Sequence, residues 1–207
     1  MKKNNFRTEK DSLGKVKVPK NALYGAQTQR AIDNFKISGI TFDPVFIQSL
    51  ASLKQACAIA NMKCKILTKT KANTIAGISK KISNDTLNYI DHFPVDIFQT
   101  GSGTSTNMNM NEVISEIAKR NLKKKIHPND DVNMSQSSND VIPTTINIAS
   151  LSMCKTLSTS LRFMCESLNS KAESLSSIIK SGRTHLMDAV PISFEQELNV
   201  WEEQVRA

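Results

Sequence analysis

One run of the chain limits its fold more than any other. From about Thr144 to Ile179, the residues Ile148, Leu151, Leu157, Leu161, Met164, Leu168 and Leu175 keep mostly to spacings of three, four or their sums. That is the period of a helix with one apolar face. Neither Gly nor Pro interrupts it, and it runs past the roughly 8–20 residues of an ordinary globular helix. A helix of this kind belongs in a bundle or coiled coil, where other helices cover its face. The chain therefore reads as mostly α. Gly182 is placed to end the helix as the residue just beyond its C-cap.

The remaining segments carry shorter signals. After Pro44, the residues Phe46, Leu50, Leu53, Cys57 and Ala60 follow helical spacing. Thr68 is placed as the N-cap of a second helix through Ile75, Ile78 and Ile82, and a short third segment holds Leu87 and Ile90. Residues 6–43 read as irregular, punctuated by Gly14, Pro19, Gly25 and Gly39, with Val16 and Val18 alternating with lysines as in a short strand. Near the end, Ser193 and Gln196 fit a capping box ahead of an apolar face of Phe194, Leu198, Trp201 and Val205.

Composition excludes several function classes. No apolar run approaches membrane-spanning length, so no membrane is expected as a partner. The opening residues Met1 to Phe6 lack the apolar region of a signal peptide, and Glu9 and Asp11 follow soon after, so a cytoplasmic location is expected. Cys57, Cys64, Cys154 and Cys165 form no C-x-x-C pair and lie in helix-like segments. They read as small buried hydrophobes in a reducing compartment, with no zinc site. The net charge is +8, but aromatics are only 5% and are not interleaved with the basic residues, so nucleic acid is not expected as a partner. A positive field of this kind can draw in a small dianion.

Three polar stretches stand out against the helices. Thr100 to Glu112 puts two glycines and several hydroxyl residues ahead of an apolar pattern at Val113, Ile114 and Ile117. Glycine lets backbone approach a ligand closely, and hydroxyls donate hydrogen bonds without adding charge. The Lys of a phosphate-binding loop is absent, and Thr104 or Ser105 can serve as an N-cap. His127 to Asp140 runs for fourteen residues with only Pro128, Val132 and Met134 apolar and no Lys or Arg. A helix follows, with Pro143 expected near its first turn, so the stretch meets free N–H groups that favour an anion. Gly182 to Pro191 is the third stretch and contains Arg183, Thr184 and His185. A fourth polar run, Tyr24 to Arg30, reads as a loop leading into a helix.

Together, Tyr24–Arg30, Thr100–Glu112, His127–Pro143 and Gly182–Pro191 resemble the corresponding stretches of class II fumarases, in the fumarase/aspartase superfamily. The resemblance runs from about Arg7 to the last residue. Gly182-Arg183-Thr184-His185 points to fumarase, because aspartases carry Gln where His185 stands. The resemblance implies a small N-terminal lyase domain, residues 1–140, followed at 141–207 by the beginning of a central long-helix bundle domain. It also implies a homotetramer, with fumarate and malate as the small-molecule partners. The implied reaction is the reversible hydration of fumarate to (S)-malate in the tricarboxylic acid cycle, with no cofactor and no metal.

Roles carry over by resemblance. Ser102, Gly103 and Thr104 form one set of substrate-carboxylate contacts, Ser137, Ser138 and Asn139 a second, and Thr184 a third. His185 is the catalytic residue that activates water. His127, Pro128, Asn129 and Asp130 resemble a secondary dicarboxylate site near the entrance. Two departures sit beside these positions, Met134 where the family often has Lys and Glu195 where it usually has Gly. Family chains are more than twice as long, and their mobile serine loop has no counterpart here. The chain is therefore expected to be an N-terminal portion, with no site complete from it alone. Two further readings stay open: an aspartase-type ammonia-lyase, or a non-catalytic truncated paralogue that binds dicarboxylate or partner helices.

Overall fold

The computed structural model describes residues 5–207, so the reading of Met1 to Asn4 as lacking a signal peptide lies outside the described residues. The chain divides into two compact units, one ending at Ser150 and the other spanning Leu151–Ala207. It is mostly helical, with two small antiparallel hairpins.

The first unit opens with strands β1 (Phe6–Asp11) and β2 (Gly14–Pro19), paired from Phe6↔Pro19 to Asp11↔Gly14. This region was expected to be irregular apart from a short strand at Val16 and Val18. The hairpin is hard to see in sequence because Val18 is its one fully buried side chain, while Phe6 and Leu13 are exposed. Arg7 ties the hairpin to the following segment, its Nη1 donating to the carbonyls of Pro19 (2.8 Å) and Ala22 (2.7 Å) and its Nη2 to that of Tyr24 (2.6 Å). Helix α1 (Ala26–Asn34) buries only Ala26, Thr28 and Ala31, so it too carries little periodic signal.

Helices α2 (Pro44–Lys63) and α3 (Lys69–Asn84) form an antiparallel pair capped by Asp43 and Thr68, the second as expected. A 3-10 helix, Thr86–His92, leads towards α4 (Thr104–Leu122). Ile47, Leu50 and Ala51 of α2 pack with Ile75, Ile78 and Ile82 of α3 and Met110, Val113, Ile114 and Ile117 of α4 in one core. Each Ile, Leu, Val or Met side chain among these contributes roughly 1.5–3 kcal/mol through burial. A π-helical turn, Pro128–Val132, then leads to the start of α5 (Ser138–Ser174).

The second unit holds the rest of α5, strands β3 (Ile179–Thr184) and β4 (Met187–Ser193), and α6 (Phe194–Arg206). Ser193 and Gln196 form the expected capping box, and Leu198 is the buried anchor of α6. Lys180 Nζ lies 2.7 Å from Glu197 Oε2 and 5.3 Å above the Phe194 ring. Along α5, Leu151, Met153, Leu157, Phe163 and Met164 are exposed within this unit.

Three expectations fail locally. Pro143 is the sixth residue of α5, inside the helix and not in its first turn; lacking an N–H, it frees the carbonyl of Asn139. The long helix ends at Ser174, and Gly182 lies in β3. Gly182 is needed there for closeness, since a Cβ would stand 2.8 Å from the Val190 carbonyl oxygen. The four cysteines are free but not buried: Cys64 and Cys154 are exposed, and Cys57 and Cys165 are half-buried. Cys64 follows the last turn of α2, and Cys154 lies on the stretch of α5 whose apolar side chains are exposed.

Candidate active site

In the first unit, the N-terminal ends of α4 and α5 meet. Gly103 is the N-cap of α4, in the left-handed region at φ 66°, and no hydroxyl side chain caps the helix as Thr104 or Ser105 was expected to do. A Cβ on Gly103 would stand 2.8 Å from Cγ1 of Ile142 in α5. Conformation and contact therefore both demand glycine. The flanking hydroxyls are exposed, with Ser102 Oγ and Thr104 Oγ1 2.8 Å apart. Ser137 precedes α5, its carbonyl accepting from the N–H groups of Asp140 and Val141 and its Oγ from that of Asn139 at 3.3 Å. Ser137 and Asn139 are exposed and Ser138 is half-buried. The structure thus brings together Ser102, Gly103, Thr104, Ser137, Ser138 and Asn139 at two adjoining helix N-termini. The positive ends of two helix dipoles and neutral donors suit an anion there.

Beneath this surface lies a buried polar network that sequence reasoning missed. Lys54 of α2 is fully buried. Its Nζ donates to Asn133 Oδ1 (3.1 Å) and Gln136 Oε1 (2.9 Å). Asn107 Nδ2 donates to the same Asn133 oxygen (3.1 Å) and to Ser138 Oγ (3.0 Å), and Asn111 Nδ2 donates to Asn133 Oδ1 (3.2 Å). Asn61 Nδ2 reaches the Met134 carbonyl at 2.9 Å. Met134 itself packs partly against the core. Burial pushes the Lys54 ammonium down from an ordinary value near 10.5 to about 7. The expected stripe holds at Phe46 and Leu50, but beyond them the buried positions of α2 are Ala51, Lys54, Ala58 and Asn61 and not Leu53, Cys57 and Ala60. A lysine and an asparagine on an apolar stripe mark a polar core.

Glu112, also missed, closes the Tyr24–Arg30 stretch. Its carboxylate accepts from the N–H groups of Gly25 (2.8 Å), Gln27 (2.9 Å) and Thr28 (3.0 Å), capping α1 from a helix far along the chain. A Cβ on Gly25 would stand 2.8 Å from Glu112 Oε1, so glycine admits this cap. His127 and Pro128 line a neighbouring cleft of about 360 Å³ with Glu9, Gln27, Glu112 and Lys119. His127 Nδ1 accepts from the Asp130 N–H at 3.0 Å, and Asp131 accepts from the His127 N–H (2.8 Å) and from Lys71 Nζ (2.7 Å). Asn129 and Asp130 are exposed.

Thr184 and His185 belong to the second unit, at the tip of the β3–β4 hairpin. Thr184 pairs with Met187, leaving His185 and Leu186 as a two-residue turn. Both have positive φ, 48° and 63°, as a type I′ turn requires. His185 is exposed and Leu186 is 99% exposed. Glu195 lies in the first turn of α6, where free N–H groups favour a carboxylate. Among the described residues, no three His, Cys, Asp or Glu side chains gather as a metal site, and no helix is long and apolar enough to cross a membrane.

Comparison with known proteins follows the same lines. A family model described as a lyase matches residues 14–207. The chain is 48% identical to the class II fumarate hydratase of Xylella fastidiosa over 201 residues, which is 97% of this chain and 42% of that protein. Among solved structures, the fumarate lyase:delta crystallin of Brucella melitensis matches with a TM-score of 0.87 at 40% identity, covering 97% of this chain and 48% of that one. The class II fumarase of Schistosoma mansoni matches with a TM-score of 0.85 at 36% identity, covering 97% and 43%. The chain thus spans less than half the length of the curated relatives it matches.

Proposed function

The chain belongs to the lyase family and has the mostly helical fold of the fumarase/aspartase type, and from that premise we propose that it serves the reversible hydration of fumarate to (S)-malate. The observation that carries this reading is the pair of neutral donor sets, Ser102–Thr104 and Ser137–Asn139, held at adjoining helix N-termini by the close contact of Gly103 with Ile142. The substrate is a dianion, and further negative charge develops on one carboxylate as water adds. Fixed neutral donors stabilise that charge in the transition state without a counter-ion to rearrange.

Ser102, Gly103 and Thr104 contact one carboxylate, and Ser137, Ser138 and Asn139 contact the substrate from α5, with Thr184 as a further donor. His185 is the catalytic residue: its imidazole takes a proton from water as the oxygen bonds to one alkene carbon. The other carbon takes its proton from a group of the complete protein. In the reverse direction the imidazolium returns its proton to the leaving hydroxide. His127, Pro128, Asn129 and Asp130 form a secondary dicarboxylate site. Residues 1–140 act as the N-terminal lyase domain, and 141–207 begin the helical bundle. The same reading takes the complete protein as a cytoplasmic homotetramer of the tricarboxylic acid cycle, needing no cofactor.

The test supplies the chain with the remainder of a class II fumarase, either as one polypeptide or by co-expression, and follows fumarate absorbance. Malate is the expected product in ammonium-free buffer. Aspartate from fumarate and ammonium, with no malate, overturns the reading.

A further inference from the structure

Among the described residues, the buried lysine forms no ion pair with an acid. Lys54 Nζ meets two neutral oxygens, Asn133 Oδ1 and Gln136 Oε1. In its protonated form, which prevails below about pH 7, the ammonium only donates, so both side-chain amides then face it with oxygen. Asn133 Oδ1 is then the acceptor that the asparagines of α4 meet, and Asn107 and Asn111 must both turn Nδ2 inward. The second proton on Asn107 Nδ2 goes to Ser138 Oγ at 3.0 Å. Ser138 therefore accepts from the network, and its single hydroxyl proton is left for whatever lies outside.

An independent observation supports this ordering. Asn107 Oδ1 and Asn111 Oδ1 are buried and find no hydrogen-bond partner among the described residues. Leaving such oxygens bare is unfavourable, and turning the amides over would leave the donors facing Asn133 unmade. While protonated, the donor-only cation decides which side faces inward.

We propose that Lys54 sets the hydrogen-bond polarity of this network, so that Ser138 presents its hydroxyl proton outward as a donor to a substrate carboxylate. Lys54 is then a positioning residue, acting on substrate through Asn133, Asn107 and Ser138. This rests on the dicarboxylate reading of the site.

The test is a double-mutant cycle on fumarate binding by the complemented enzyme, read as KM, with Lys54→Met, Ser138→Ala and the pair. Each single substitution weakens binding about tenfold, and the pair binds no more weakly than Ser138→Ala alone, because both remove one donor. Losses that multiply, to about a hundredfold in the pair, overturn the proposal. A second pair of variants applies where Lys54→Met does not fold. Asn107→Asp puts a carboxylate into the network and offers Ser138 an acceptor, turning its proton inward, so it matches the loss in Ser138→Ala and does not add to it. Asn111→Asp carries the same charge on the same helix and does not touch Ser138, so it costs less. Equal losses in the two Asp variants overturn the polarity argument in favour of charge repulsion. The Asn107 side-chain amide resonances move when fumarate binds the complemented wild-type protein, and their failure to move also overturns it. A complemented wild-type protein that neither binds nor hydrates fumarate overturns the dicarboxylate reading together with this inference, whereas binding with multiplying losses overturns the inference alone.

Discussion

The two units treat the same kinds of residue differently. Up to Ser150, α2, α3 and α4 close their apolar faces on one another, and even the polar residues Lys54, Asn107 and Asn111 are sealed into that core. From Leu151 onward the apolar residues of α5 are largely exposed, Leu157 at 56%, and Thr184 and His185 sit on an exposed hairpin tip. Carboxylate-binding donors can be preorganised by a local core, because packing locks the groups behind them. His185, the proposed proton-transferring residue, sits on a hairpin tip and gains no such support from its own unit.

The sharpest way to break this contrast is a pair of core truncations. Ile114→Ala empties a fully buried site and should cost about 2–5 kcal/mol in denaturant unfolding. Leu157→Ala should change the unfolding of dilute chain by no more than about 0.5 kcal/mol, while reducing concentration-dependent association in sedimentation. Equal destabilisation by the two would mean that the α5 face is covered in solution.

The next effect concerns catalysis. In the complemented enzyme, His185→Asn should lower kcat by roughly 100-fold or more, with little change in KM, since the neutral donors of the first unit still hold the carboxylates. His127→Asn should leave kcat nearly intact. Equal losses in steady-state assays would move His127 into the reacting site.

A third test uses pH. The Lys54 value is about 7 folded against 10.5 ordinarily. Between these pH values the unfolded chain keeps a proton that the folded chain has released, so stability rises with pH. The cost of the buried charge is fully present below about pH 7 and gone above about 10.5. Urea midpoints of the first unit should climb across that window, with a slope of at most about 1.4 kcal/mol per pH unit, and Lys54→Met should flatten the climb. A wild-type chain with no slope would mean that Lys54 keeps its proton.

The smallest effect lies in the hairpin. Leu186 is bare to solvent with φ 63°, so Leu186→Gly loses no packing and relieves left-handed strain. It should stabilise the second unit by about 0.5–1 kcal/mol, read from thermal unfolding. A loss of stability would show that the turn is held by something other than its own backbone preference.

Local patterns were readable where one residue's surroundings follow from its near neighbours. The spacing of Ile75, Ile78 and Ile82, the Thr68 cap and the Ser193–Gln196 box specify helices by themselves, because a helix repeats over a few residues. The hydroxyl-rich stretches at Ser102–Thr104 and Ser137–Asn139 were also visible from composition. What sequence alone could not decide were partnerships between distant segments. Glu112 caps α1 across more than eighty residues, Gly103 admits Ile142, and Lys54 meets Asn133 and Gln136. Gly182 likewise reads as a helix stop until β4 lies beside it. A cap, a turn and an apolar stripe are set by local backbone geometry, whereas a buried charge, a distant carboxylate cap and a glycine forced by close approach exist only once packing has brought their partners within a few ångströms.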